Sequence, residues 1–262
     1  MRSRIAVKWT VVACAAAVLA GCATDAPREG LAASDPYEPF NRRMLNVNKA
    51  LDRYALRPVS QGYDFVTPTT FQFIIGNELD YLETPIHFAN YVLQGDIDNS
   101  LETLGRFTLN TVLGGLGMLD PATEFGLPRQ ETDFGITLAS WGVAEGPYFV
   151  LPLFGPAMAR DLPSFVVDRA FYPPSYVGPF TDIGFFNPVL NGIDLVNTRT
   201  QNFDLIDELL YETEDTYVTL RAAYLQRRRA MAAGEEGEIE NLPDIFDEEA
   251  VNPPSEENPP SE

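Results

Sequence analysis

The stretch FGITLASWGVAEGPYFVLPLFGPAMA, residues 134–159, runs for 26 residues with a single charge, Glu145. That exceeds the roughly 20 apolar residues a helix needs to cross a bilayer. Its composition nevertheless forbids a straight crossing helix. Gly135, Gly142, Gly146 and Gly155 loosen the backbone, and Pro147, Pro152 and Pro156 each remove an N–H donor. Broken backbone exposed to hydrocarbon leaves polar groups unsatisfied, so it is tolerated only against protein or beside a water-filled cavity. A second stretch, residues 171–190, repeats the pattern: 20 residues, one charge (Asp182) and the prolines Pro173, Pro174, Pro179 and Pro188. The two segments carry Trp141, Tyr148, Phe149, Phe154, Phe171, Tyr172, Tyr176, Phe180, Phe185 and Phe186, aromatic residues that suit a membrane interface. Two readings are open here: short kinked helices lying in one leaflet, or the Pro-rich core of a periplasmic protein.

The N-terminus weighs on that choice. Arg2, Arg4 and Lys8 precede an uncharged, mostly apolar run from Trp9 to Leu19, too short to span and matching the h-region of a secretory signal. Leu19-Ala20-Gly21-Cys22 follows, small residues before a cleavage point with cysteine just after it. This resembles the lipobox of bacterial lipoproteins, so residues 1–21 are expected to be removed and Cys22 lipidated. Each buried methylene contributes about 0.8 kcal/mol, and three acyl chains hold a protein firmly. Ala23 in place of Asp favours the outer membrane over retention at the inner one. With Cys14 lost and Cys22 lipidated, the mature chain has no thiol for a disulfide or metal site, so its stability must come from burial. The anchor favours membrane contact for the proline-broken middle.

Charge and organisation follow. The chain carries −20, which becomes −23 without the signal; residues 235–262 hold eleven acidic side chains and no Lys or Arg, leaving about −12 for residues 22–234. Neither a nucleic-acid footprint nor a polybasic lipid patch fits this balance. Residues 22–34 read as a lipidated tether, 35–233 as one folded domain, and 234–262 as a disordered acidic tail ending in two copies of Asn-Pro-Pro-Ser-Glu. Within the tail, Ile239, Leu242, Ile245 and Phe246 are compatible with a short docking motif, though a solvated run accounts for them.

The remaining pattern is helical. Asp35 and Pro36, or Pro39, open a helix in which Phe40, Met44, Val47, Leu51, Tyr54 and Ala55 recur at helical spacing until Pro58. A second helix is predicted from about Pro68 to Leu82. Thr84-Pro85 starts a third, which ends near Gln94-Gly95, and Asp98 caps a fourth from about Asn99 to Leu113. Residues 193–233 read as helical with a break near Thr213–Asp215, placing Arg227, Arg228 and Arg229 in the last turn. There they serve the helix dipole or contact lipid headgroups or an acidic partner. Gly114, Gly115 and Gly117, with Trp141, Gly142 and Gly146, are candidates for hinge or channel positions, because glycine admits φ > 0; simple helix termination explains both clusters equally well.

Catalytic patterns are missing. The lone histidine, His87, has no Gly-x-Ser-x-Gly partner motif; Ser140 and Ser164 lack flanking glycines, and no metal or phosphate-loop motif occurs. No catalytic residue and no metal ligand is expected, and no cofactor beyond the lipid on Cys22 and phospholipid as cargo. Three classes remain: a non-enzymatic lipid handler, a phospholipid hydrolase of unfamiliar type, or a structural lipoprotein supporting porin assembly.

A set of short motifs then distinguishes these. Asp35-Pro36-Tyr37-Glu38-Pro39-Phe40-Asn41-Arg42 with Asn46, Asn48 and Tyr54; Leu93-Gln94-Gly95; Arg106-Phe107 with Asn110-Thr111; and Gly114-Gly115-Leu116-Gly117 with Asp120 come first. Phe134–Leu138, Trp141-Gly142-Val143, Gly146-Pro147-Tyr148, Arg160-Asp161 and Asp215-Thr216-Tyr217 with Arg221, Ala223-Tyr224 and Arg227-Arg228 complete the order. Over residues 35–231 the chain resembles the MlaA (VacJ) lipoprotein family. The resemblance implies an all-α ring with an amphipathic central channel, embedded in the inner leaflet of the outer membrane. It implies retrograde phospholipid transport that maintains outer-membrane lipid asymmetry, association with a trimeric porin, and delivery to an MlaC-type periplasmic carrier. The expected fold is thus all-α, a single domain of kinked amphipathic helices in one leaflet, lipid-anchored and facing the periplasm.

Overall fold

The computed structural model describes residues 35–176 and 188–234. Cys22, the signal, the tether, the acidic tail and the 177–187 part of the second aromatic stretch lie outside the described residues.

The chain starts with α1 (Glu38–Leu51), whose first turn holds Pro39. Tyr37 is at the N-cap without a side-chain cap bond, and Asp35 Oδ1 accepts from the Tyr37 N–H one step earlier (2.8 Å). The helix does not stop before Pro58. A π-turn at Asp52–Leu56 leads directly into α2 (Arg57–Val66), with the Arg57 N–H reaching back to Asp52 O. The wider turn restarts the helical count, so Pro58 falls in a first turn that asks no N–H of it.

α3 (Thr69–Gln94) is a second departure: one helix of 26 residues with Pro85 inside it, where two were expected. Pro85 forfeits one helical bond, and the packing of α3 against its neighbours outweighs the loss. α3 ends as the sequence indicates, at Gly95 in the left-handed region (φ 77°). Asp96, not Asp98, caps α4 (Ile97–Val112), accepting from the Asn99 N–H at 3.1 Å. Asp120 caps the single turn α5 (Pro121–Glu124), and Asp133 caps α6 (Phe134–Ser140).

The proline-broken segment therefore contributes only one short helix. Tyr148–Leu151 (β1) and Gly155–Met158 (β2) pair antiparallel, Tyr148 opposite Met158 and Leu151 opposite Gly155. Its aromatic and β-branched residues prefer a pleat, and the prolines sit where an extended chain tolerates them. This hairpin is a local exception within an otherwise helical fold, which is the all-α architecture expected. The short turn α7 (Ser164–Val167) follows, then α8 (Pro188–Gln201), α9 (Phe203–Asp207) and a second π-turn at Glu208–Glu212. The break falls at Thr213, in extended conformation, as expected. α10 (Thr216–Ala233), capped by Asp215 and closed by Gly234 (φ 75°), completes the described chain. Because α10 reaches Ala233, its three arginines precede the last turn rather than occupying it.

A small apolar core joins α1, the hairpin and α10 through Leu45, Tyr148, Val150, Met158, Tyr217 and Leu225. Asn41, fully buried, fastens it: its amide nitrogen donates to Tyr148 O (3.0 Å) and its oxygen accepts from the Val150 N–H (2.9 Å). Asn48 does the same at the hairpin tip, donating to Leu151 O and accepting from the Leu153 N–H, each at 2.9 Å.

Candidate functional site

Two of the amphipathic helices, α1 and α4, turn polar residues inward and apolar ones outward. On α1 the buried residues are Asn41 and Leu45, while Phe40, Val47 and Leu51 of the predicted stripe are exposed. On α4 the buried residues are Ser100, Thr103 and Asn110, and Ile97, Leu101, Leu104 and Val112 face outward. Among the described residues, 17 buried side chains are polar or charged against 15 hydrophobic, and 32 large hydrophobic side chains are exposed. Phe65 at the end of α2 is 91% exposed. A water-soluble domain sorts its residues the other way, and scattered single exposed apolars do not add up to such a surface. No helix among the described residues is long and apolar enough to cross a membrane.

Buried ion pairs hold the polar interior together. Arg228 on α10 bridges Asp161 (2.6 Å) and Asp133 (2.5 Å), and the Tyr224 hydroxyl donates to Asp161 (2.6 Å). Arg199 on α8 pairs with Asp52 of the π-turn (2.8 Å) and with Asp207; Tyr211 donates to the same Asp52 (2.6 Å). Removing one partner from such a pair strands the other charge, at a cost of about 3–5 kcal/mol. Arg227 and Arg229 pair with Glu131 (2.8 Å) and Glu145 (2.9 Å), so all three arginines have intramolecular carboxylate partners.

Between α3 and α4 the polar faces enclose a hollow of about 40 Å³. Asn77, Asp80, Thr84 and His87 line it from α3, Arg106 from α4, and Gln130 from the following loop. These α3 residues recur three to four apart, which puts them on one face. Arg106 pairs with Asp120 (2.9 Å), and Asn110 donates to the same carboxylate (2.8 Å). Arg129 joins Asp80 to Glu131. Burial pushes Asp80 up to about 6, against the pull of Arg129. Burial, reinforced by the negative charges of Asp194 and Asp80, pushes Glu83 up to about 7. Burial opposes charge on Glu131 too, but Arg129 and Arg227 prevail and hold it below its ordinary value. His87 is lowered by burial, and its Nδ1 lies 2.7 Å from Thr132 O. Ser140 and Ser164 donate their hydroxyls to Thr137 O and Asp161 O, so neither meets the histidine.

The two groups of predicted positions fall in different places. Gly114, Gly115 and Gly117 form the turn after α4, with φ of 66° at Gly115 and 104° at Gly117. A Cβ on Gly117 would lie 2.4 Å from Tyr81 Cγ, and one on Gly114 would lie 2.4 Å from Leu119 O, so the turn packs tightly beside the hollow. Trp141, Gly142 and Gly146 lie beyond α6. Trp141 donates to Leu93 O (3.1 Å) and meets Phe134 edge-on, and Gly142 and Gly146 have φ of 83° and 70°. None of these three lines the hollow. Asn41, Asn48, Asn110 and Thr216 stand in the family motifs, but periodicity alone does not place these polar side chains in the interior. Their signal is a polar stripe, Asn41 and Asn48 on α1 with Asp52 of the π-turn, and Asn77, Asp80, Thr84 and His87 on α3.

A family model described as MlaA lipoprotein matches residues 33–231. The Intermembrane phospholipid transport system lipoprotein MlaA of Escherichia coli K12 is 36% identical over 240 residues, 87% of this chain and 90% of that protein. Its namesake in Haemophilus influenzae is 32% identical over 219 residues, covering 80% and 84%. An uncharacterized protein of Rickettsia felis is 36% identical over 197 residues, 75% and 77% of the two chains. A solved structure described as the "Structural basis for maintenance of bacterial outer membrane lipid asymmetry" superposes with a TM-score of 0.65 and 35% identity, covering 76% of this chain and all of that one. A family match over nearly all the described residues, relatives aligned over most of their length and a shared fold agree: this chain belongs to the MlaA lipoprotein family.

Proposed function

We propose that the protein withdraws phospholipid that has strayed into the outer leaflet of the outer membrane and passes it to the periplasmic side, maintaining lipid asymmetry. The observation that supports this reading is an interior rich in polar and charged side chains beneath an exterior that exposes many large apolar ones. An apolar exterior in a leaflet is relieved of roughly 25 cal/mol per Å² that it would cost in water. A polar interior gives a headgroup a route that avoids hydrocarbon, where an unpaired polar group costs several kcal/mol. Lipidation of Cys22 would fix the body to the same leaflet. A trimeric porin is the expected neighbour in the membrane, and an MlaC-type carrier the expected acceptor in the periplasm. The protein acts as a conduit and not as an enzyme. The test is a deletion strain scored for outer-leaflet phospholipid and detergent sensitivity. Both should rise and be restored by the intact gene. Unchanged surface phospholipid, or fatty acid released by the purified protein, would contradict the reading.

A further inference from the structure

Two π-turns meet inside the fold. The Asp52–Leu56 turn joins α1 to α2, and the Glu208–Glu212 turn closes the run that begins with α9. Each is completed by a five-residue hydrogen bond, Arg57 N–H to Asp52 O and Thr213 N–H to Glu208 O. Single π-turns are rare and recur at functional sites. One network holds both. Arg199 of α8, itself buried, reaches Asp52 at the start of the first turn (2.8 Å) and Asp207 just before the second. Arg57, which closes the first turn, pairs with the same Asp207 (2.6 Å). Tyr211, inside the second turn, donates its hydroxyl to Asp52 (2.6 Å), and Arg53 lies over its ring (4.7 Å).

The π geometry is what lets Asp52 and Arg57 share these partners. In an α-helix a five-residue step leaves two side chains about 140° apart. The wider turn brings them back towards one side, facing α8 and α9. Wound as α-helix instead, the turn would rotate all of α2 by about 100°, one residue's worth. Each residue would then take its successor's place: Val59 that of Ser60, and Ser60 that of Gln61. In the present register Val59 and Gln61 are exposed and Ser60 is fully buried. There the Ser60 hydroxyl donates to Val196 O (3.4 Å) and the Tyr63 hydroxyl to Asn197 Oδ1 (3.0 Å), which ties α2 to α8. The shifted register breaks both bonds. The extended Thr67 and Pro68 after α2 give the link that takes up the extra residue.

We infer that the Asp52–Leu56 turn is a register switch: π while the Arg199 network is closed, α once it opens, with α2 advancing by one residue along α8. The second π-turn is the latch, because it carries Tyr211. The inference does not depend on the phospholipid-transport reading.

The test traps the shifted register with cysteine pairs in the full-length protein, purified in mild detergent and oxidised with copper phenanthroline. Thr200 takes one cysteine, because its hydroxyl lies 3.4 Å from Ser60 O. Ser60→Cys with Thr200→Cys should crosslink readily. Val59→Cys with Thr200→Cys should crosslink slowly, and Tyr211→Phe should speed that pair about tenfold or more, the effect of losing one hydrogen bond to a charged group. Asp52→Asn should speed it further. Gln61→Cys with Thr200→Cys should stay slow in every background, since the switch carries Gln61 away from α8. Tyr211→Phe keeps every charge of the network, so it reports even if Asp52→Asn fails to fold. An unchanged Val59 pair in Tyr211→Phe overturns the switch. So does equal acceleration of the Gln61 pair, which would mean that α2 merely unravels. Failure of the Ser60 pair would overturn the α2–α8 register on which the inference stands.

Discussion

Gly117 and Gly115 stand two residues apart in one turn, yet they are bound by different constraints. Both have positive φ, which a side chain adopts only with strain. At Gly115 a Cβ would meet open space; at Gly117 it would drive into the Tyr81 ring, 2.4 Å from Cγ. Gly115→Ala should therefore cost about 1–2 kcal/mol, the price of the left-handed backbone alone. Gly117→Ala should cost more, since overpacking typically adds about 1–3 kcal/mol. Urea unfolding followed by tryptophan fluorescence checks the order, and equal losses would contradict the packing described. These glycines were legible in the sequence because a run of three in four residues ends a helical pattern. The burial of Asn41, a motif residue, was not. A polar side chain looks the same in sequence whether it meets water or a buried backbone carbonyl.

At the scale of elements, α3 gathers the groups whose charge is most affected by the fold. Glu83 is raised to about 7 in the folded protein by burial and by neighbouring carboxylates, so the folded state holds its proton more tightly than the unfolded chain does. Its contribution to stability is full below its ordinary value near 4.5 and is lost as pH rises towards 7. Glu131 and Asp120 are lowered and work in the opposite sense, so the total profile is a poor test. The difference between wild type and Glu83→Gln isolates the group. The variant should gain melting temperature relative to wild type between pH 5 and pH 8, and a gap that stays constant would contradict the burial of that carboxylate. Helix ends were partly legible: Gly95 and the break at Thr213 fall where expected, while the cap of α4 is Asp96 and not Asp98. Pro58 and Pro85 misled, because a π-turn and tertiary packing carry helices past them. The hairpin at Tyr148–Met158 was hidden by the same prolines and glycines that excluded a spanning helix, since a break in helical pattern does not say what replaces it.

For the whole molecule, the decisive property is which side of each helix faces inward. Periodicity located the amphipathic helices but could not orient them: an apolar stripe faces a core in water and the surroundings in a bilayer. Phe40, Val47 and Leu51 have the spacing of a core and the exposure of a surface. The lipobox and the uncharged, proline-broken middle were the sequence features that favoured the membrane, and the exposed apolar exterior agrees with them. The account stands on that inside-out arrangement and on a phospholipid using it. Photo-crosslinking residues placed in cells at Glu83 or Thr103, on the polar interior, and at Phe71 or Leu101, on the apolar exterior, measure it directly. Interior positions should yield phospholipid adducts through the headgroup and exterior positions adducts through acyl chains. Protein adducts alone at the interior positions, or water-quenched probes at the exterior ones, would contradict it.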